Sequence, residues 1–312
     1  VLHLNPKELI LLTQPELLGL LQHSFPSVRC VSVAAQIGHY DYHCAVMSLP
    51  YIFGSEVHTI PKRLPYLHSV PSAQTEVKAQ NIFDPNKLNI GIVWKASDTA
   101  FDSEKRDIEL EHFMGLASIP NAKLYSLQVG KFGDEASEHK DITCLRSAIT
   151  DFASTASLLE QLDCVVCIDT AMAHLCGSMN IPCFVLLHYA SSWRWLVERT
   201  DTVWYTSVRL YRIGESHNVS ASMAQVSADI VAFSQTKKRV EPVAEVFYSF
   251  PRNLKEEYQS MLAQVAGSLN NSSSNLEELK QAKFVLCRLL VKIENEPVYK
   301  YLLLAEQRIN AL

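Results

Sequence analysis

"LDCVVCIDTAMAHLCGSMNIPCFVLL", residues 162–187, decides how the rest of the chain is read. Two apolar runs, 164–168 and 183–187, flank a stretch of small and helix-favouring residues. Apolar runs without alternation read as strands buried on both faces, and "TAMAHLCGSM" (170–179) reads as a helix. The unit is strand, helix, strand, which builds a parallel sheet. Asp169 and Thr170 stand where the first strand gives way to its helix. In open parallel sheets, ligands bind at the carboxyl ends of strands, where loops lead into helix N-termini. The amides of Ala171, Met172 and Ala173 are expected there as free donors at a positive helix end, with small side chains that let an anion approach. A phosphate or diphosphate fits. Asp169 would repel it and suits a sugar hydroxyl instead, while His174, one turn into the helix, is placed to face the same mouth. The same residues also read as an ordinary helix cap, which contributes about 1 kcal/mol, with His174 a plain helix residue.

Outward from this segment, strand and helix signals alternate. "NIGIVW" (89–94) is a strand, "IELEHFMGLASI" (108–119) an amphipathic helix and "KLYSLQV" (123–129) a strand. "DFASTASLLEQL" (151–162) is a helix, "SVRLYR" (207–212) a strand and "SASMAQVSADIVAFS" (220–234) a helix. Toward the N-terminus, "ELILLT" and "RCVSVA" read as strands around the proline-opened helix "PELLGLLQHSF". "YDYHCAVMSLPYIFG" (40–54) starts as a short strand and turns helical, which places Asp41 and His43 near a strand end. Residues 60–87 carry four prolines and read as a linker. Beyond residue 237 come amphipathic helices interrupted by "NNSSSN" (270–275), a helical appendage for packing or for binding a protein partner.

Composition limits the function classes. The chain has 312 residues, 48% hydrophobic and 20% charged, and a net charge of −5. With a pI near 6.1 and no basic stripe, it offers no nucleic-acid footprint. No apolar run approaches the roughly 20 residues of a membrane span, and "VLHLNPKELILL" lacks the features of a signal peptide, so a cytoplasmic location is expected. The chain begins at Val1, as a fragment or processed product would. Eight cysteines include a CxxC at Cys164 and Cys167. Residues three apart on a strand point to opposite faces, whereas a zinc knuckle needs both thiolates on one side, so no metal site and reduced thiols are expected.

The longer string "VVCIDTAMAHLCGSMNIPCFVLLHYASSWRWLVERTDTVWYTSVRLYR" resembles the C-terminal half of the heptosyltransferase-like glycosyltransferases of family 9, and most of all the version fused to tetratricopeptide repeats in bacteria. The resemblance rests on a strand ending in D-[ST]-[AG]-x-x-H (Asp169–His174), the aliphatic strand Cys183–Leu187, "WRW" (Trp193–Trp195) and "WY" (Trp204–Tyr205). Upstream, "IGIVWKAS", "RDIEL", "YSLQVG" and "YDYHCAVMSLPYIFG" extend the likeness over roughly residues 9–235. It implies an α/β, GT-B-like architecture: two Rossmann-like parallel-sheet domains, the first truncated, plus a C-terminal helical region. The implied boundaries are residues 1–75 for a partial acceptor-side domain, 76–236 for the nucleotide-sugar-binding domain and 237–312 for the helices.

The function implied is transfer of a sugar, heptose among the candidates, from a nucleotide-diphosphate sugar to a glycan or protein acceptor. Neither a metal nor a cofactor is needed, because helix N-termini and basic side chains neutralise the leaving diphosphate. Carried across, Thr170, Ala171 and Met172 would bind the diphosphate through their backbone, Asp169 would bind the sugar, and His174 would share the mouth. Lys95, Lys105 and Arg106 are the candidate cations, and Trp193, Trp195 and Trp204 candidate pocket walls. The chain departs from the family in three ways: no glycine-rich "GLGD" loop precedes "ELILLT", Val129 stands where a lysine is frequent, and the loop 95–107 is not Asn- and Gly-rich. The acid of the missing loop is the family's expected base, so His43 and Asp41 become the candidate catalytic bases. The alternative is a catalytically reduced relative that keeps the fold as a binding or scaffold module. A nicotinamide-dependent oxidoreductase fits poorly, for want of a glycine fingerprint.

Overall fold

A computed structural model of the chain describes residues 6–61, 64–73, 81–96, 106–188, 191–197, 199–214 and 218–236. These fall into two compact units. The larger contains the described residues between 8 and 37 and between 61 and 236; the smaller contains 6, 7 and 38–60. The expected C-terminal helices lie outside the described residues.

The larger unit is α/β. It opens with β1 (Ile10–Leu12), α1 (Pro15–Ser24) and β2 (Arg29–Val31), a small βαβ in which the two strands pair in parallel. A six-stranded sheet follows, made of β3 (Leu88–Val93), β4 (Ala122–Ser126), β5 (Ile142–Cys144), β6 (Cys164–Ile168), β7 (Cys183–His188) and β8 (Val208–Ile213). All of its ladders are parallel and the spatial order is β5-β4-β3-β6-β7-β8. From β3 the chain first winds outward through β4 and β5. It then returns to the other side of β3 and winds outward again through β6, β7 and β8. The topological switch point therefore lies between β3 and β6, where Val93 is in register with Cys167.

Both faces of this sheet are buried, which is why its central strands read as continuous apolar runs. On one face, Val93, Val165, Cys167, Val185 and Leu187 pack under α4 (Phe152–Leu159) and α5 (Ala171–Ser178). On the other, Ile90, Ile92, Cys164, Val166, Phe184 and Leu186 pack under α6 (Val219–Thr236) and the segment around Phe113 and Leu116. Cys164 and Cys167 thus belong to opposite cores, as the strand period requires. The small βαβ attaches through Leu20 of α1, which is fully buried in the first core with Ala153 and Ala156 of α4. Gly19 of α1 faces Ala153 of α4 across this contact, where a Cβ would lie at an ordinary 3.7 Å from the Ala153 methyl.

Two local expectations need correction, and one strand was not anticipated. The strand expected at the start of 40–54 does not form: residues 40–45 are irregular, and only α2 (Leu49–Ile52), preceded by a 3₁₀ turn, is helical. The alternation of Tyr40, Tyr42 and Cys44 has no pairing partner there, and Tyr40 and Tyr42 are exposed. The helix expected over 108–119 breaks into α3 (Glu111–Met114) and a 3₁₀ segment, with Gly115 at the joint. Finally, β5 has only three residues, of which Ile142 alone is buried, too short for a periodic signature.

Candidate functional site

The strand ends β3 and β6 build the site. β6 delivers Asp169, which is 7% exposed, and Thr170 begins α5 in an extended conformation, φ −137° and ψ 174°. Among the described residues no side chain caps this helix; the Thr170 hydroxyl turns back to the Ile168 carbonyl at 3.4 Å. The first helical amides have no intrahelical acceptor, so those of Ala171 and Met172 are available. The Ala173 amide, expected beside them, instead donates to Thr170 O at 3.1 Å. The contrast with α4 is instructive. There Asp151 accepts from the Ser154 amide at 2.7 Å and the Ser154 hydroxyl closes a full capping box. The chain thus caps α4, a helix of the core, and leaves open the one that starts at the switch point.

Arg106 comes to the same place from 63 positions upstream. Its Nη1 donates to the Asp169 carbonyl at 2.9 Å, which holds a guanidinium beside the open helix end. Lys95, next after β3, is differently placed. Its side chain is 9% exposed, its Nζ donates to Glu109 at 2.6 Å, and it stands 5.5 Å above the centre of the Phe132 ring. Lys105 lies outside the described residues. The loop after β3 is pinned by two groups that sequence inspection passed over. Gln128 accepts from the amides of Trp94 and Lys95 at 3.2 and 3.0 Å and donates to the carbonyls of Lys95 and Val129. Asp107 accepts from the Ala96 amide at 2.7 Å.

His174 stacks on the buried Trp195, with ring centres 5.0 Å apart and planes 11° from parallel. Its Nδ1 meets the Tyr205 hydroxyl at 3.1 Å. Burial pushes its pKa down, an effect the Asp169 charge opposes and Arg194 reinforces, so the ring is neutral near pH 7. Tyr205 in turn bonds Tyr66, and burial raises the pKa of both phenols. Of the other tryptophans, Trp193 is 61% exposed with Arg194 over its face, and Trp204 donates its indole N–H to the Arg194 carbonyl at 2.8 Å. The signal for Tyr205 was present in "WY", but nothing in the sequence tied it to His174.

The structure thus brings Asp169, Thr170, Ala171, Met172, His174 and Arg106 to one end of the sheet. Asp41 and His43 belong to the smaller unit, where both side chains are exposed and His43 meets the Tyr40 ring edge-on. Among the described residues no cluster of three or more His, Cys, Asp or Glu is arranged to hold a metal, and no helix is long and apolar enough to cross a membrane. A cavity of about 460 Å³ lies along β8 and α6, but its arginines are engaged: Arg199 with Asp201, Arg209 with Asp229, and Arg212 with backbone carbonyls.

No family model matches the chain, and no curated protein does. Solved structures do. The E. coli ADP-heptose lps heptosyltransferase II is similar at 13% identity over 55% of this chain and 54% of that one, with a TM-score of 0.42. The glycosyl transferase family 9 protein of Veillonella parvula is similar at 10% identity over 55% and 53%, with a TM-score of 0.39. The wall teichoic acid polymerase TagF is similar at 12% identity over 55% and 44%, with a TM-score of 0.29. The chain spans about half the length, or less, of these structures. Its own strand order, rather than these likenesses, defines its fold.

Proposed function

We propose that the larger unit binds a nucleotide-diphosphate sugar at the β3/β6 switch point, as the donor side of a GT-B glycosyltransferase. The diphosphate sits on the amides of Ala171 and Met172 beside Arg106, the sugar meets Asp169, and heptose is the first sugar to test. The acceptor is a glycan or a protein side chain, no metal is required, and His43 or Asp41 takes the acceptor proton. The observation that carries this reading is the uncapped start of α5, next to a fixed guanidinium, at the place where an open parallel sheet binds ligands. Amides of a first helical turn, which lack intrahelical acceptors, need not reorganise as negative charge builds on a leaving diphosphate. The sequence resemblance supplies the choice of sugar transfer among phosphate-ester chemistries.

Ala171→Pro tests the placement cleanly. Residue 171 is the first helical position, where proline is tolerated, and Thr170 already has the extended backbone that a following proline demands. The substitution removes one N–H and leaves the helix. Calorimetric titration with ADP, UDP and GDP should show one nucleotide selected by the wild type. A hydrogen bond to a charged group contributes about 1.5–3 kcal/mol, so Ala171→Pro should bind that nucleotide roughly ten- to a hundredfold more weakly, with unchanged thermal unfolding. Equal binding by the variant would remove the diphosphate from α5. Asp169→Ala should then slow release of nucleoside diphosphate from the matching sugar nucleotide without unfolding the chain.

A second reading is favoured by the Lys95–Glu109 pair, which leaves that lysine's charge already balanced. On this reading the chain binds the nucleotide but does not transfer sugar. Selective nucleotide binding with no turnover of any sugar nucleotide would establish it.

A further inference from the structure

Four charged residues meet at the carboxyl ends of β3 and β6. Lys95 and Asp169 each stand two positions beyond the registered pair Val93 and Cys167, so the two strands deliver them to the same end of the sheet. Among the described residues they do not pair with each other: the Lys95 ammonium goes to Glu109 at 2.6 Å. Arg106, three positions before Glu109, donates to the Asp169 carbonyl. Two cations and two carboxylates thus cancel at the place where the diphosphate is assigned above.

The Lys95–Glu109 pair is lopsided. The Lys95 side chain is 9% exposed and that of Glu109 67%. A buried ammonium stripped of its counter-ion costs free energy, whereas an exposed carboxylate is already largely hydrated and loses little on letting go. Lys95 therefore needs an anion, and Glu109 is one it can exchange. The rest of the arrangement does not depend on the pair. Gln128 holds the Lys95 amide and carbonyl, and the ammonium lies 5.5 Å from the centre of the Phe132 ring. The segment that carries Glu109 is anchored separately, by the Asp107 carboxylate on the Ala96 amide and by the Ile108 amide on the Trp94 carbonyl at 3.0 Å. A change of Glu109 rotamer frees the side of the ammonium that it now covers, with both backbones left in place.

From this geometry, and resting on the donor-site reading above, we infer that Glu109 is a displaceable counter-ion. It holds the Lys95 ammonium in the free protein and yields it to a diphosphate oxygen when the donor binds. Lys95 is then the second cation of the site beside Arg106, and it is never left unpaired, because one anion replaces another. A ligand must out-compete a carboxylate tethered next to the lysine, which favours the several charged oxygens of a diphosphate.

The test uses the full chain, with inorganic pyrophosphate and the nucleoside diphosphate that the wild type selects, titrated calorimetrically at fixed ionic strength. Glu109→Gln keeps the shape of the side chain and removes its charge. It should bind both probes about two- to fivefold more tightly, the range of an ion pair with an exposed partner. Lys95→Met should bind them roughly tenfold more weakly, and adding Glu109→Gln to it should restore little. Thermal unfolding without ligand monitors the fold of each variant. Glu109→Asp, which keeps the charge on a shorter arm, should fall between wild type and Glu109→Gln in affinity.

Equal affinity in wild type and Glu109→Gln overturns the exchange. So does an equal gain from Glu109→Gln with and without Lys95, since that gain is through-space repulsion and not release of the lysine. The donor-site reading fails separately. Pyrophosphate bound with the expected Lys95 dependence, but no nucleotide bound, leaves the exchange standing and removes the nucleotide. Nucleotide binding that Ala171→Pro weakens and Glu109→Gln leaves unchanged does the reverse. No binding of either probe by wild type or Glu109→Gln overturns both.

Discussion

Gly177→Ala should destabilise the protein even though glycine in a helix interior is ordinarily worth replacing. Alanine is favoured over glycine by about 1 kcal/mol at such positions. At residue 177, however, a Cβ would lie 2.5 Å from Cδ2 and 2.6 Å from Cδ1 of Tyr205, and closer still to Cγ. These are rigid ring atoms, and the ring is tied at its far end to His174. Relief therefore means moving the whole phenol. Overpacking of this kind costs about 1–3 kcal/mol, and losing the bond to His174 adds about 1 kcal/mol. Against the gain of about 1 kcal/mol in helix propensity, the net loss is about 1–3 kcal/mol. For a domain of about 150–250 residues that corresponds to a fall in Tm of roughly 2–4 °C per kcal/mol.

Gly19→Ala is the internal control. It replaces another helical glycine, but its Cβ would make an ordinary 3.7 Å contact with Ala153, so it should raise stability by up to about 1 kcal/mol. Both variants are measured by thermal and urea unfolding of the full chain. If Gly177→Ala stabilises as Gly19→Ala does, Tyr205 does not occupy the slot, and the account of His174 built on it fails.

Other outcomes follow from the same packing. Asp151→Ala removes the acceptor of the α4 capping box and should cost about 1 kcal/mol by urea unfolding. Leu20→Ala should cost about 2–5 kcal/mol, because the side chain is completely buried between the small βαβ and α4. The pH dependence of stability should include a term from His174, whose folded pKa is depressed. Above the unfolded value of about 6.5 both states are neutral there and stability is full. As pH falls below that value toward the folded pKa, the unfolded chain binds the proton more readily and stability declines. His174→Asn should remove that component from a thermal unfolding series between pH 8 and 5; an identical slope in the variant would assign the decline to other groups.

The parallel sheet was legible because burial on both faces writes itself into sequence as unbroken apolar runs, as at Cys164–Ile168 and Cys183–His188. Where burial is partial, the signal fades. β5 leaves one side chain of three in the core, and the apparent alternation at 40–44 marks no strand. Residue identity alone could not separate a capped helix from an open one at Asp169–Thr170, since both readings use the same side chains. The direction of the Thr170 hydroxyl separates them. Partnerships across long separations were equally hidden. Arg106 meets Asp169, Gln128 clamps the loop after β3, and Tyr66 and Tyr205 converge behind His174 only because the sheet brings their strands and loops together.

The position of β3 has a consequence for how the chain is made. It lies at the centre of the sheet, yet one of its two edges can be closed only by β6, which begins some 70 residues after β3 ends. At synthesis rates of about 5–20 residues per second, several seconds pass between the two. During that interval the nascent chain can pair β3 with β4 and β4 with β5, while the other edge of β3, flanked by Ile90 and Ile92, stays open and apolar. The edge that β6 covers in the finished protein is thus an adhesive surface of the unfinished one. Slow or interrupted translation between residues 94 and 163 should therefore be the step at which this protein most needs a chaperone.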